Sequence, residues 1–142
     1  MLSSIEIMLR LLLAALFGGL VGFEREYSGK SAGVRTYALV SVGSALFTLL
    51  SAYGFSGSAT DTSRIASQVV VGIGFLGAGE ILHRGTKTVI GLTTAAGLWV
   101  AAAIGMAIAV GWYEVGIATS ILVVLLLHVV GNVRYRVEHP KE

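Results

Sequence analysis

The stretch VVVGIGFLGAGEIL contains Gly72-x-Gly74-x-x-Gly77, the spacing with which a dinucleotide-binding turn receives a pyrophosphate. That chemistry needs a strand before the glycines, a helix after them, and an acidic residue about 20 positions further on. The following RGTKTVIGLTTAAGLWVAA carries no acidic residue, and the glycines lie within an apolar run. Glu24 and Glu26 are the next candidates, as a carboxylate pair for a divalent cation. Residues two apart on a helix point about 200° apart, so they share an ion only if the helix breaks. The chain has no cysteine, which excludes thiolate ligands and thiol nucleophiles. Serines and histidines occur, but no motif sets a base beside a nucleophile. The expectation is a protein that is not an enzyme, with no catalytic residue, cofactor or resident metal. Without a basic stripe or an aromatic stacking platform, no nucleic-acid partner is expected either.

The remaining chemistry-bearing residues are ionisable groups within or beside apolar runs. Arg10 stands inside the first run, four residues after Glu6. It reads either as a functional charge within the membrane or as a helical pair partner that snorkels outward. Asp61 and Arg64 open the third run, where Asp61 reads as an N-cap. An alternative joins Arg10, Asp61, Arg64 and Gln68 into one polar cluster. Glu80 precedes Arg84 by four, so an ion pair on one helix face is the plain reading. Glu24, Arg25, Glu26, Lys30 and Arg35 read as an interlocked charge network or as a solvated loop. Thr94, with Thr93, either bonds its own helix carbonyls or lines a path. No carboxylate stands in the middle of any run, which disfavours a central proton relay.

The elements that position these groups follow from composition. The chain has 142 residues, 55% hydrophobic and only 13% charged, with a mean hydropathy of +0.83. A soluble domain carries about 25% charged residues. Five apolar runs, at residues 5–23, 37–55, 65–82, 89–110 and 115–133, approach the roughly 20 residues a spanning helix needs. The first lacks the basic start and cleavage site of a signal peptide and reads as a retained helix. The fold expected is all-α and polytopic: a transmembrane domain over residues 1–133 and a short basic tail over 134–142. Eight of the ten Lys and Arg residues fall in the first loop, the third loop and the tail. That bias puts the N-terminus outside and the C-terminus in the cytoplasm.

Lipid gives apolar helices no reason to associate, so small residues that allow close approach mark the contacts. Gly18-x-x-x-Gly22 marks the first helix and Gly74-x-x-x-Ala78 the third. Gly97, Ala101, Gly105 and Ala109 mark the fourth at fourfold spacing. The first, third and fourth helices are expected to touch, and the bulky fifth to face lipid. Gly72, Gly74, Gly77 and Gly79 form either a continuous packing face or a break that lines a cavity.

Long, ordered stretches carry a family resemblance across nearly the whole chain. They are GLVGFERE at 19–26, AGVRTYALVSVGSALF at 32–47, DTSRIASQVVVGIGFLGAGEIL at 61–82 and GLTTAAGLWVAAAIG at 91–105. In these the sequence resembles the MgtC/SapB family of bacterial inner-membrane proteins. The resemblance implies a multi-pass plasma-membrane protein concerned with magnesium limitation, acid tolerance or virulence. It also implies a role in ion or membrane-energy homeostasis, as a homo-oligomer or a regulator of a complex such as the ATP synthase. A small transporter or channel is the alternative. The family's motif positions map here onto Glu24, Arg25, Glu26, Gly33, Arg35, Asp61, Arg64, Gly74, Gly77, Gly79, Thr94 and Trp99. Thr62 replaces a usual proline, Glu80 an apolar or small residue, and Val100 the cysteine of the virulence-associated branch. The chain is similar to the short form without a C-terminal soluble domain.

Overall fold

The computed structural model describes residues 2–55, 61–84 and 88–138, with side chains at 2–55, 61–81 and 89–129. Five α-helices account for nearly all of it: α1 (Ser4–Tyr27), α2 (Val34–Leu49), α3 (Arg64–Glu80), α4 (Leu92–Ala109) and α5 (Tyr113–Glu138). Each of the five apolar runs forms one of them. Three helical stretches, Ser4–Tyr27, Val34–Gly54 and Leu92–Ala109, are long and apolar enough to cross a membrane, and Tyr113–Val129 is a shorter apolar helix. The all-α polytopic reading holds.

The boundaries differ where hydropathy is blind to backbone geometry. A π-helical turn, Leu50–Gly54, prolongs α2. α3 stops at Glu80, and Leu82–Arg84 pairs antiparallel with Thr88–Ile90 as β1 and β2. Val89 and Ile90 are therefore strand residues that extended the fourth apolar run at its start. The β-branched Thr88, Val89 and Ile90 suit a strand, and Gly91, at φ +92°, turns the chain into α4. A Cβ at Gly91 would press on the Glu80 carbonyl, so a glycine is required there. α5 continues past 133 to Glu138, which carries the expected tail boundary into a helix.

α4 is the hub, in contact with each of the other four helices. α1 and α3 make no extensive contact among the described residues, contrary to the expected three-way packing. The small face of α1 is taken by α2 instead. A Cβ at Gly18 would collide with Ser41, and one at Gly22 would lie 2.8 Å from the Gly33 carbonyl and the Tyr37 Cβ. From the other side, a Cβ at Gly97 would meet the Tyr37 ring, and one at Gly105 the Ser41 backbone. α2 is thus gripped between α1 and α4 at two levels, Tyr37 and Ser41. Ala14, Val21, Tyr37, Ala45, Leu98, Ala101, Ile104 and Ile108 form the core around this pinch.

The buried stripe of α3, Val69, Ile73 and Gly77, packs mainly on α4, with Val40 of α2 beside it. α3 is continuous through Gly72–Gly79, so the glycines mark no break. α5 buries Gly116 and Ser120 and leaves Ile121, Leu122, Leu125 and Leu126 exposed, as its bulky lipid-facing sequence implies.

Candidate functional site

Two polar clusters lie at opposite ends of the bundle. The first is built around Arg10 on α1, which is only 7% exposed. Its Nη2 donates to Glu6 Oε1 at 2.5 Å, the helical pair expected from spacing. Its Nη1 donates to the Ala109 carbonyl oxygen at the end of α4. The guanidinium also stands 5.7 Å from the ring centre of Tyr113. A cation at a helix C-terminus satisfies orphan carbonyls and the negative end of the helix dipole. Arg10 therefore ties α1 to the α4–α5 corner.

Asp61, Arg64 and Gln68 do not join it. Asp61 accepts from the backbone N–H of Ser63 at 2.9 Å and from its hydroxyl at 2.7 Å, and these bonds hold its carboxyl below the usual aspartate range. Arg64 is exposed. Asp61 is not the cap of α3 either. That role falls to Ser51 in the π turn, whose buried hydroxyl accepts from the N–H groups of Ile65 and Ala66 at 3.1 and 3.2 Å. The same hydroxyl donates to the Thr62 carbonyl at 2.8 Å. The wider π turn carries Ser51 inward to this position. Nothing local in the sequence signals a cap supplied from 14 residues upstream.

The second cluster gathers at the far end of α1. Glu24, Arg25 and Glu26 lie on the helix, not in the loop after it. Glu24 and Arg25 are 7% and 4% exposed. Glu24 accepts from the Ser28 hydroxyl at 2.8 Å, and Arg25 Nη1 reaches it only at 3.5 Å. Glu26 points away, as the angle between residues two apart requires, and accepts from the Val34 N–H at the start of α2 at 3.0 Å. It is the anion at that helix N-terminus. Lys30 and Arg35 are exposed and form no ion pair with the described carboxylates, so the interlocked network reduces to Glu24 and Arg25.

Glu80 accepts from the Ser31 hydroxyl, which brings the α3–α4 hairpin to the same end as the α1–α2 loop. Because α3 ends at Glu80, Arg84 is not on the next helical turn; its side chain lies outside the described residues, as do those of Lys87, Arg134, Arg136 and Lys141. The Tyr37 hydroxyl donates to the Thr94 carbonyl at 3.2 Å, joining α2 to the first turn of α4. Thr94 is buried and lies in the first turn of α4, near this end of the bundle.

Between α2 and α3 runs an open apolar groove of about 470 Å³, lined by Leu39, Gly43, Phe47, Gln68, Gly72 and Leu76 among others. Gly72, Gly74 and Gly79 have nothing within 4 Å of where a Cβ would stand. Gly97, Ala101 and Gly105, by contrast, are buried within the chain, Gly97 and Gly105 against α2. Among the described residues no group of three or more His, Cys, Asp or Glu is placed to hold a metal ion.

This is the architecture of a helical, polytopic membrane protein whose charges are gathered at the two ends of the bundle. Within that class, a model of the MgtC family matches residues 11–136, and the chain belongs to that family. It is 49% identical over 137 residues to the Escherichia coli K12 protein named "Putative magnesium transporter YhiD", covering 92% of this chain and 63% of that one. It is 42% identical over 129 residues to protein SrpB of Synechococcus elongatus, covering 83% and 71%. It is 44% identical over 116 residues to protein MgtC of Salmonella typhimurium, covering 82% and 48%. The chain thus spans about half to two thirds of the length of YhiD and MgtC. No solved structure matches it.

Proposed function

We propose that this chain is a non-enzymatic protein of the bacterial plasma membrane that modulates magnesium, proton or membrane-energy balance. It acts by packing against further membrane helices, in copies of itself or in a larger complex such as the ATP synthase. The supporting observation is the contrast between its two sets of glycines. Gly18, Gly22, Gly97 and Gly105 close the α1–α2–α4 core on itself, which is poor construction for a passage through one chain. Gly72, Gly74 and Gly79 face open space on a helix held along one stripe. Glycine weakens a helix by about 1 kcal/mol relative to alanine, and close approach of another helix is the usual compensation in lipid. Deletion is expected to alter growth at low magnesium or the membrane potential, and the protein is expected to cross-link to itself or a partner along α3. A strictly monomeric protein whose deletion changes neither would end this reading.

The second reading is a small oligomeric transporter or channel, favoured by the name given to YhiD. Its path would lie between copies, beside the α2–α3 groove. Reconstituted vesicles should then show flux of magnesium, protons or a small solute; vesicles with none would remove it.

A further inference from the structure

We infer that the groove between α2 and α3 holds one acyl chain of a membrane phospholipid whose phosphate meets Arg64. The level of the two walls is set by a hydrogen bond. Ser51, in the turn that prolongs α2, accepts from the Ile65 N–H at the start of α3, and the two helices run antiparallel from that point. Gly72 lies seven residues beyond Ile65, and Ser44 seven before Ser51. At 1.5 Å per residue both stand about 10 Å deeper. Gly43 and Gly72 therefore line the groove from opposite walls at one depth. Neither has an atom within 4 Å of where a Cβ would stand, so the slot stays open at its middle.

Its dimensions select the occupant. The α3 wall runs from Ile65 to Leu76, about 16 Å along the helix. That is half of the roughly 30 Å hydrocarbon core, the depth of one leaflet and hence of one lipid tail. Over this length about 470 Å³ leaves a section of roughly 30 Å², against a helix about 10–12 Å across. A polymethylene chain fills such a slot. A spanning helix would lie over the mouth and leave a void beneath it, at the cost of the contacts that hold membrane helices together. The lining is apolar except for Ser44 and Gln68. A helical serine can turn its hydroxyl to the carbonyl four residues back; a glutamine amide needs partners from outside.

Those partners lie at the depth of a lipid's esters. Gln68 is exposed and makes no hydrogen bond with a described residue. An amide at the edge of hydrocarbon is costly without acceptors, and glycerol ester carbonyls supply them. Arg64 stands four residues earlier, one turn nearer the end of the bundle and on the same side of α3. It is exposed and forms no ion pair among the described residues, since Asp61 accepts from Ser63. About 6 Å separates the two levels, comparable to the interfacial layer of about 5–7 Å on each side of the core. Cation, amide and apolar slot thus follow one another along α3 in the order phosphate, ester, tail. No free helix-end N–H is involved, because those of Ile65 and Ala66 are taken by Ser51. Gly74, two residues past Gly72, points about 200° away, so a lipid in the groove and a helix packed on Gly74 occupy different faces.

The test uses the purified full chain in phospholipid vesicles. They carry a trace of phosphatidylethanolamine with a photoactivatable diazirine midway along one acyl chain, and adducts are mapped by mass spectrometry. Phe47 and Leu76, on the groove, should be labelled severalfold more than Leu12 and Leu122, which are at least as exposed elsewhere on the bundle. G72L fills the slot from a position with open space, so it should fold and lose the groove adducts severalfold, with Leu12 and Leu122 unchanged. R64Q should lower groove labelling by about two- to fivefold, the scale of an exposed ion pair. A diazirine-bearing diacylglycerol with the same chains should start at that lower level and ignore R64Q. Uniform labelling of all exposed apolar residues would overturn the proposal, as would unchanged groove labelling in folded G72L. Equal labelling by the two lipids would overturn the assignment to a phospholipid. Protein–protein adducts in place of lipid adducts at Phe47 and Leu76 would give the groove to a second helix and overturn it as well.

Discussion

The Arg10 guanidinium donates to the carbonyl oxygen of Ala109, 99 residues away, and closes α1 onto the end of α4. The bond fills a vacancy that every helix C-terminus has, using a side chain from another helix. R10M should remove the cap and the Glu6 pair while keeping most of the apolar volume. The expected cost is about 1–3 kcal/mol, read as a lower melting temperature in detergent. R10K should recover part of it. An unchanged melting temperature in R10M would show that the contact is idle.

The two classes of glycine should respond oppositely to the same substitution. G105A puts a methyl group into the Ser41 backbone and forces α2 and α4 apart. A loss of about 1–3 kcal/mol is expected from overpacking. G74A meets nothing within 4 Å and should leave the isolated fold unchanged or stabilise the helix by up to about 1 kcal/mol. Denaturant titration of both variants decides it, and equal effects would refute the distinction.

These contrasts separate what the sequence makes legible from what it hides. Hydropathy is a local signal, so five runs of spanning length are visible in the order of residues alone. Gly97 and Gly105 are visible too, as small residues at fourfold spacing. Their partners are harder to see: α2 carries small residues at Ser41, Ser44, Ala45 and Thr48, but a stripe of this kind does not say which neighbouring helix takes it. α2 therefore displaces the expected α1–α3 contact. Asp61 offered a familiar capping pattern, and Ser51 offered none, yet the cap belongs to Ser51. A cap supplied across a loop depends on how two helix ends are brought together. The burial of Arg25 beside exposed Glu26 follows from helix angles, but which of the two faces inward depends on how the other helices pack around α1.

Ser51 should govern the start of α3. S51A removes the acceptor for the Ile65 and Ala66 N–H groups. A cap of this kind contributes about 1 kcal/mol. Hydrogen exchange at Ile65 and Ala66 should quicken in S51A and stay unchanged in D61N. The reverse pattern would return the capping role to Asp61.

Asp61 gives a pH dependence with a definite sign. Two hydrogen bonds from Ser63 favour its charged form and lower its pKa below the ordinary aspartate value. The folded chain thus holds this proton less tightly than the unfolded chain does. The turn's contribution is present above the unfolded pKa and fades as pH falls through the folded one. The side chain is fully exposed, so global stability should hardly register it. The Asp61 carboxyl resonance should titrate below that of a matching peptide, and S63A should move its midpoint upward. A midpoint equal to the peptide's would mean that the Ser63 bonds do not form in solution.

The exposed face of α3 makes the sharpest demand on the proposed function. G74L places a bulky side chain where the chain itself has open space, so the single bundle should tolerate it. A helix packed closely from outside would not, because one added side chain between small residues blocks the approach that gives such contacts their dispersion energy. The melting temperature of dilute protein should therefore stay near that of the unsubstituted chain, while cross-linked oligomer or captured partner falls severalfold. G105L should do the opposite: it disrupts the fold and lowers every readout together. Should G74L keep full cross-linking along α3, the glycine face would be covered by lipid alone, and the contact that the proposed function requires would have to lie elsewhere on the bundle.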